Sequence, residues 1–394
     1  MRSSSSLKVI SEIGRTRNAI SSSSSSNDRK YKKTKVLNTR EMQEIECYTA
    51  ISELKRLNSK IININEIEIK DFINERNIKF GNLVEKYNDT EDEINCIELN
   101  KDGKLEIKTE SIIIDKYIGS GSYGIVFIND DRTARYAIKF MKQDKREIEI
   151  MKEISKKNSK LEEPIPNYIY TAHYYLNCNK IEIKDNKITS TLDKCLSLKS
   201  DISDGKYSMI IIEHLDGTIN EILGDDRRPE EEKIKLYKSI FGQMIISLYL
   251  YHNKFNYYHN DAHLNNFFYK KVIKDDKYLY YKIGEDKYYI KNDGYLVILG
   301  DYGLASNITD DKKKRIMDYK HIISYIHSLC IYNEYYGSKR EIIEKLMRLT
   351  NQRSIIPEEI TELDVVKDLL KIFNNKKEER IEEEKQINIK AYEC

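Results

Sequence analysis

The sequence of 394 residues has no tryptophan, only four prolines and no long apolar run. No segment approaches the roughly 20 apolar residues that span a bilayer, and the N-terminus lacks an apolar signal core. We therefore expect a soluble protein with no membrane partner. Lys and Arg (67) nearly balance Asp and Glu (65), for a net charge of +2. That balance gives no electrostatic reason to expect nucleic acid as a partner.

The cysteines lack any CxxC pair and are spread over the whole chain. Nothing in their spacing marks a secreted disulfide scaffold. We therefore expect free thiols in a reducing compartment. The six positions are Cys47, Cys96, Cys178, Cys195, Cys330 and Cys394.

Composition divides the chain into regions. The serine runs Ser3–Ser6 and Ser21–Ser26 cannot bury enough apolar surface to offset ordering entropy, which predicts a disordered tail. A helix is predicted next, with one face made of Ile45, Tyr48, Ile51 and Leu54. The charged stretch from Lys376 to Lys385 is typical of a solvated helix. The predicted regions are a Ser-rich basic tail (1–40), an N-terminal extension (41–110), a main domain (111–375) and a charged C-terminal tail (376–394).

Within the main domain, strands precede helices, which predicts an α+β fold. A charged helix is expected at 144–156, and a buried one where Leu236, Ile240, Met244, Leu248 and Tyr251 recur at helical spacing. The chain is predicted to be helical again after Asp318. The predicted strands are 111–118, 124–129, 135–141, 168–176 and 207–214.

A glycine-rich turn joins the first two of these strands. Its sequence is Gly119-Ser120-Gly121-Ser122-Tyr123-Gly124-Ile125-Val126. Glycines here let backbone N–H groups approach a polyphosphate without Cβ clashes. The following element is a predicted strand rather than a helix, which argues against dinucleotide binding. A plain hairpin turn is the alternative.

Lys139 ends the run Tyr136-Ala137-Ile138-Lys139 on the next strand. A lysine among apolar residues needs a partner, because burying an ammonium group is costly. ATP phosphates and a helix carboxylate would supply one. The alternative is an edge-strand lysine that faces solvent.

Two polar motifs follow the buried helix. In His259-Asn260-Asp261-Ala262-His263-Leu264-Asn265-Asn266, an Asp that can accept a hydroxyl proton precedes by five positions an Asn that can hold a metal. In Leu299-Gly300-Asp301-Tyr302-Gly303, a carboxylate at a strand end can chelate Mg²⁺. Each motif is common alone, but all four in this order are hard to ascribe to chance.

Together the four motifs resemble the signature of the protein-kinase superfamily, over roughly residues 111–330. The resemblance implies a two-lobed fold, with a β-rich N-lobe and a mainly helical C-lobe, and ATP and Mg²⁺ as cofactors. It implies that Lys139 grips the phosphates, Asp261 is the catalytic base, and Asn266 and Asp301 bind Mg²⁺. The other nucleotide-site positions that it implies are Gly119, Ser120, Gly121, Ser122, Tyr123, Gly124, Val126 and Ala137.

The resemblance assigns further roles. Glu147 is similar to the helix carboxylate that pairs with Lys139, with Glu149 and Glu153 as rivals. The backbone of Glu213 and Leu215 would meet adenine at the hinge. Asp318 is similar to the aspartate that braces the catalytic loop.

Departures from the family pattern bear on regulation and substrate. Asn260 replaces the usual arginine, and His263 replaces a lysine, as in aminoglycoside and choline kinases. The segment from Asp301 to Asp318 is short, and no Ala-Pro-Glu follows it. We expect no switching by phosphorylation of this segment, because it also lacks its arginine partner.

The Tyr-rich insertion at 271–294 resembles that of serine/threonine kinases of large DNA viruses, which implies the host-cell cytoplasm or the virion as location. We therefore expect a serine/threonine protein kinase that acts on a protein substrate. Two alternatives stay open. His263 and the short segment favour a small-molecule kinase, whereas a catalytically inactive kinase-like binding module is disfavoured by the retained site residues.

Overall fold

The computed structural model contains two units, Met1–Met42 and Gln43–Cys394. Of the first unit, only residues 39–42 are described. The structure as a whole describes residues 39–57, 67–86, 96–107, 112–120, 124–129, 136–142, 145–179, 187–188, 190–191, 206–224, 227–309, 311–332, 339–351, 355–373, 381–388 and 390–393.

A seven-stranded antiparallel sheet carries Lys139. Its strands alternate between the two faces, so that Ile138 and Phe140 are buried on one side while Lys139 points to the other. The order is β1-β2-β3-β4-β5-β7-β6. The strands are β1 (Ile97–Leu99), β2 (Leu105–Ile107), β3 (Ile112–Ser120), β4 (Gly124–Asn129), β5 (Tyr136–Lys142), β6 (Thr171–Asn179) and β7 (Lys206–Glu213).

Three helices accompany this sheet: α1 (Thr39–Leu57), α2 (Ile69–Lys86) and α3 (Lys145–Ser159). The sequence did not predict α2, which packs against α3 and β6. It also placed Tyr48 on the same face of α1 as Ile51. Ile51 is buried, but Tyr48 is 46% exposed and Cys47 is buried instead. Strands β1 and β2, although they lie in the predicted extension, are part of the same sheet as β3.

A disulfide joins the two edges of this sheet. Cys96, directly before β1, is bonded to Cys178 in β6, with their Cα atoms 5.5 Å apart. Cys47, in the same buried cluster, is also disulfide-bonded. The expectation of free thiols is therefore wrong for these three cysteines. For Cys96 and Cys178, the curled sheet brings together residues that are 82 positions apart in sequence.

The C-terminal part is built around the buried helix α5. Its last turn continues into a π-helical turn, Tyr251–Phe255, which ends at Asn256 in the left-handed region (φ 65°). The helices are α4 (Ile219–Leu223), α5 (Glu230–Leu250), α6 (Lys312–Met317), α7 (Lys320–Tyr332), α8 (Arg340–Leu349) and α9 (Glu362–Ile372). The strands are β8 (Gly217–Thr218), β9 (Tyr257–Tyr258), β10 (Phe267–Lys271), β11 (Tyr278–Ile283), β12 (Asp286–Lys291), β13 (Tyr295–Leu299), β14 (Ser306–Asn307) and β15 (Tyr392–Glu393).

The Tyr-rich insertion is the hairpin β11–β12, and the C-terminal tail completes it. Strand β15 pairs in parallel with β11, and the buried Tyr392 packs against Tyr281. The solvated helix expected at 376–385 is absent from the part of this stretch that is described, where Glu383–Lys385 form a single 3₁₀ turn. Residues 374–380 lie outside the described residues.

No helix among the described residues is both long and apolar enough to cross a bilayer.

Candidate functional site

Lys139 lies between two carboxylates that come from distant parts of the chain. Its Nζ is 2.6 Å from Glu147 Oε1 on α3 and 3.1 Å from Asp301 Oδ1 after β13. Of the three glutamates considered from the sequence, Glu147 makes this contact, whereas Glu153 pairs with Lys157 on the same helix. The strand, the helix and the segment after β13 therefore converge on one ammonium group.

The charges of this cluster are matched. Burial alone would lower the pKa of Lys139, but the carboxylates of Glu147 and Asp301 raise it above its ordinary value. The lysine therefore stays protonated. Glu147 is nearly inaccessible (1% exposed), whereas Asp301 is 33% exposed. The solvent-facing side of the cluster is thus the Asp301 side.

Glycine is required where β4 begins. A Cβ on Gly124 would overlap the carbonyl oxygen of Phe140 on β5. Val126 lies opposite Lys139 in the β4–β5 ladder, and Ala137 is buried nearby in β5. Gly119 is in β3 with open space around its Cα. The structure describes the backbone of Ser120 only, and Gly121, Ser122 and Tyr123 lie outside the described residues.

The loop between β9 and β10 holds Asp261 and Asn266 together. Asn266 Nδ2 donates to the backbone oxygen of Asp261 (2.8 Å) and to its Oδ2 (3.2 Å). The amide of Gly300 donates to the backbone oxygen of Asn266 (3.0 Å), which fixes this loop beside the end of β13. His263 Nε2 is 3.5 Å from Asp261 Oδ2. The loop therefore brings a carboxylate, an amide and an imidazole to one place.

The side chain of Asp318 holds the same loop in place. Its Oδ2 accepts a hydrogen bond from the amide of His259, and its Oδ1 accepts one from the amide of Asn260, both at 2.7 Å. Asn260 has φ 61°, a left-handed conformation that asparagine tolerates. The sequence assigned this role to Asp318 only through the family resemblance.

A buried histidine supports Asp318. His252 lies between Asp318 (2.9 Å) and Glu362 (2.6 Å), and Tyr319 donates to the same Glu362 oxygen (2.8 Å). Burial would lower the pKa of His252, but the two carboxylates raise it to about 9. The sequence gave no sign of this cluster, because its members are up to 110 positions apart.

Asp301 and the residues after it are tightly fixed. Asp301 has φ 58°. Tyr302 is buried, stacks on Tyr251 with ring centroids 5.5 Å apart, and donates to the backbone oxygen of Leu299 (2.7 Å). A Cβ on Gly303 would come within 3.2 Å of Glu147 Oε2. A side chain at this position would therefore press on the Glu147 carboxylate, which favours a glycine where the segment approaches α3.

The short segment between Asp301 and Asp318 is held by unmodified side chains. Asn260 Nδ2 donates to the backbone oxygen of Leu304 (2.9 Å) and to Ser306 Oγ (2.8 Å). Arg146 on α3 donates to the backbone oxygen of Ala305 (2.6 Å). Strand β14 pairs with β9, directly before the loop that holds Asp261. Asn260, at the start of that loop, thus contacts the segment through its side chain.

The predicted hinge contains a contact that the sequence did not reveal. The side chain of Glu213, at the end of β7, forms a buried ion pair with Arg76 of α2. Leu215 is half-buried against the C-terminal core. An arginine on an otherwise apolar helix face, with Ile69 and Ile73, is the local signal that could have pointed to this pair.

No family model matches the chain, and no curated protein matches it. Among solved structures, the chain is similar to the BubR1 kinase domain, with 16% identical residues and a TM-score of 0.44. That similarity covers 78% of this chain and 93% of the other.

Proposed function

We propose that this chain is an ATP-dependent phosphotransferase with a two-lobed, protein-kinase-like fold, and specifically a serine/threonine protein kinase. The observation that carries the proposal is the ion-pair cluster of Lys139 with Glu147 and Asp301. A strand lysine, a helix carboxylate and a carboxylate after a later strand meet at a single point. Phosphoryl transfer by kinases requires that arrangement.

The donor set fits Mg²⁺. Asn266 uses its Nδ2 on Asp261, which leaves its Oδ1 oxygen for a cation. Asp301 supplies a carboxylate that is one-third exposed. Carboxylate and amide oxygens suit a hard divalent cation. Asn266 and Asp301 would hold the ion, which when bound neutralises charge on the transferred phosphoryl group.

Asp261 is the proposed proton acceptor. Its carboxylate is 29% exposed and is oriented by Asn266, so an acceptor hydroxyl can reach it. In the proposed reaction the hydroxyl oxygen bonds to the terminal phosphorus, the bond from that phosphorus to its bridging oxygen breaks, and Asp261 receives the hydroxyl proton. Lys139 and the backbone of the glycine turn would orient the phosphates, and the hinge backbone at Glu213 and Leu215 would meet adenine.

A second function, phosphorylation of a small alcohol, is favoured by two observations. His263 lies 3.5 Å from Asp261, and the segment that follows Asp301 is short. Protein kinases use a longer segment there to dock peptides. We favour a protein acceptor because the sequence contains the full glycine turn, which kinases of small alcohols usually lack.

We also propose that the protein comes from a large DNA virus and acts in the host-cell cytoplasm or the virion. This proposal rests on the resemblance of the Tyr-rich insertion to that of viral kinases.

Incubation with labelled ATP and Mg²⁺, against both a protein mixture and a panel of small alcohols, tests the proposal. We expect label on serine or threonine of proteins, and none with Asp261→Asn. The matched control is Asp276→Asn, an exposed aspartate on the insertion that lies outside the site. Label on small alcohols alone would favour the second function. Nucleotide binding without any transfer would contradict both.

A further inference from the structure

We propose that Arg76 is a positioning residue of the nucleotide site. Helix α2, which carries Arg76, therefore contributes to nucleotide binding by the catalytic domain. The proposal rests on the proposed function. In this proposal, Arg76 fixes the position of the hinge relative to strand β13, which leads to Asp301.

The guanidinium of Arg76 makes four hydrogen bonds. Arg76 is 2% exposed. Its Nε and Nη2 donate to the two carboxylate oxygens of Glu213, at 2.6 and 2.5 Å. Nη1 donates to the backbone oxygen of Pro166 (2.8 Å), and Nη2 also donates to the backbone oxygen of Tyr168. This fork geometry is specific to arginine, because a lysine cannot bond a carboxylate in two places and two carbonyls at once.

Glu213 is fixed at the start of the hinge by more than Arg76. Its Oε1 also accepts a hydrogen bond from the amide of Tyr170 (2.8 Å), and its own amide donates to the backbone oxygen of Tyr170 (3.2 Å). The Tyr170 ring lies 4.5 Å from the guanidinium carbon of Arg76. The end of β7 therefore has its position set by α2 and by the residues before β6.

The same residues before β6 hold the strand that leads to Asp301. The amide of Leu299 donates to the backbone oxygen of Asn167 (2.7 Å), and the amide of Ile169 donates to the backbone oxygen of Leu299 (3.1 Å). Leu299 is the last residue of β13, two positions before Asp301. Residues 166–170 thus connect Arg76 on one side with the metal-binding carboxylate on the other.

A positioning role and a purely structural role of Arg76 predict different experimental results, because the Arg76–Glu213 pair is buried. Removal of Arg76 alone leaves an unpaired carboxylate in the interior, which destabilises the fold. Removal of both charges takes that penalty away but does not restore the four hydrogen bonds that align hinge and strand. Stability and nucleotide affinity should therefore respond differently to the double change.

The experiment compares wild type, Arg76→Met, Arg76→Lys and the double variant Arg76→Met with Glu213→Gln. Two quantities are measured: the thermal unfolding midpoint, and the Kd for a fluorescent non-hydrolysable ATP analogue with Mg²⁺. We expect about tenfold weaker nucleotide binding in all three variants, the scale at which residues without ligand contact modulate affinity. We expect the midpoint to fall in the single variants and to recover in the double variant. The control is Glu75→Gln, an exposed neighbour on the same helix.

Wild-type affinity in the double variant would overturn the proposal, since it would leave Arg76 a structural role alone. Where Arg76→Met does not fold, the double variant carries the test. Absence of nucleotide binding by the folded wild type would instead contradict the proposed function, and this claim with it.

Discussion

At the scale of single residues, the two partners of Lys139 differ in their access to solvent. Glu147 is enclosed between α3 and Gly303, and Asp301 faces the open side. The first carboxylate can therefore only orient the lysine. The second can orient the lysine and also meet a cation. Neutralising Glu147 and neutralising Asp301 should therefore have different effects.

Glu147→Gln should lower phosphotransfer on the order of 100-fold, because a displaced Lys139 no longer aligns the phosphates and misplacement at a reacting centre costs rate on this scale. Glu149→Gln, an exposed residue two positions later, is the matched control and should retain activity. Initial rates at saturating ATP measure both. Equal losses in the two variants would contradict the assignment of Glu147.

Asp301→Asn should abolish Mg²⁺-dependent turnover while the fold persists. Asparagine tolerates the left-handed backbone at this position, so the change removes charge rather than shape. Loss of a preorganised charge of this kind costs on the order of 100-fold or more in rate. The thermal midpoint and the activity across a Mg²⁺ titration test it. Near-normal activity at saturating Mg²⁺ would show that Asp301 is not the ligand.

His252 should make stability depend on pH on the alkaline side. Its pKa is raised from an ordinary 6.5 to about 9 in the folded state. The stabilisation is therefore fully present below pH 6.5 and is lost as pH rises through 9, by at most about 1.4 kcal/mol per pH unit. Denaturant unfolding at several pH values, compared with His252→Gln, isolates this contribution. The stability advantage of the wild type over this variant should shrink across that window, and an advantage that stays constant would contradict the assignment.

At the scale of elements, the segment between Asp301 and Asp318 is already anchored in its unmodified form. Asn260, Arg146 and the β9–β14 pairing contact it without a phosphate. In kinases that are switched on by phosphorylation, an arginine binds the added phosphate to order a longer segment. Here the contact is made by the neutral amide of Asn260, and Ser306 is its hydrogen-bond partner.

Phosphatase treatment of the purified protein should therefore leave its activity unchanged. Ser306→Ala should lose one hydrogen bond from Asn260 and keep most of the activity, and Thr309→Ala should behave like wild type. Rates before and after treatment measure this. Activity that disappears and returns only after phosphorylation of Ser306 or Thr309 would refute this interpretation of the segment.

At the scale of the whole molecule, the serine runs 3–6 and 21–26 lie outside the described residues, and their role stays a prediction. We expect them to receive most autophosphorylation. Deletion of residues 1–38, which leaves α1 intact from Thr39, should remove most self-labelling and leave activity toward other substrates nearly unchanged. Mass spectrometry of the labelled protein measures the first effect. Self-labelling that persists at other sites would contradict it.

The contacts of Lys139 with Asp301 and of Asp261 with Asn266 join residues that stand in short motifs visible in the sequence. The roles of these four residues in the proposed reaction stay a prediction. The Arg76–Glu213 pair joins positions 137 apart and has no local pattern beyond an arginine on an apolar helix face. Burial and pairing over such distances are decided by tertiary packing. For the same reason the sequence did not indicate β15 or the disulfide.

The curled N-terminal sheet has a consequence for association between molecules. Strands β1 and β6 are its two edges, and the Cys96–Cys178 bond links the two edges at one point. An open edge offers unpaired backbone groups to any other extended chain, which is a common start of aggregation. The bond limits how far either edge can move away from the other, and so how much of each edge becomes accessible. Cleavage of the bond by a reductant would release β1 and β6 from each other, and the reduced protein should self-associate more readily than the oxidised one.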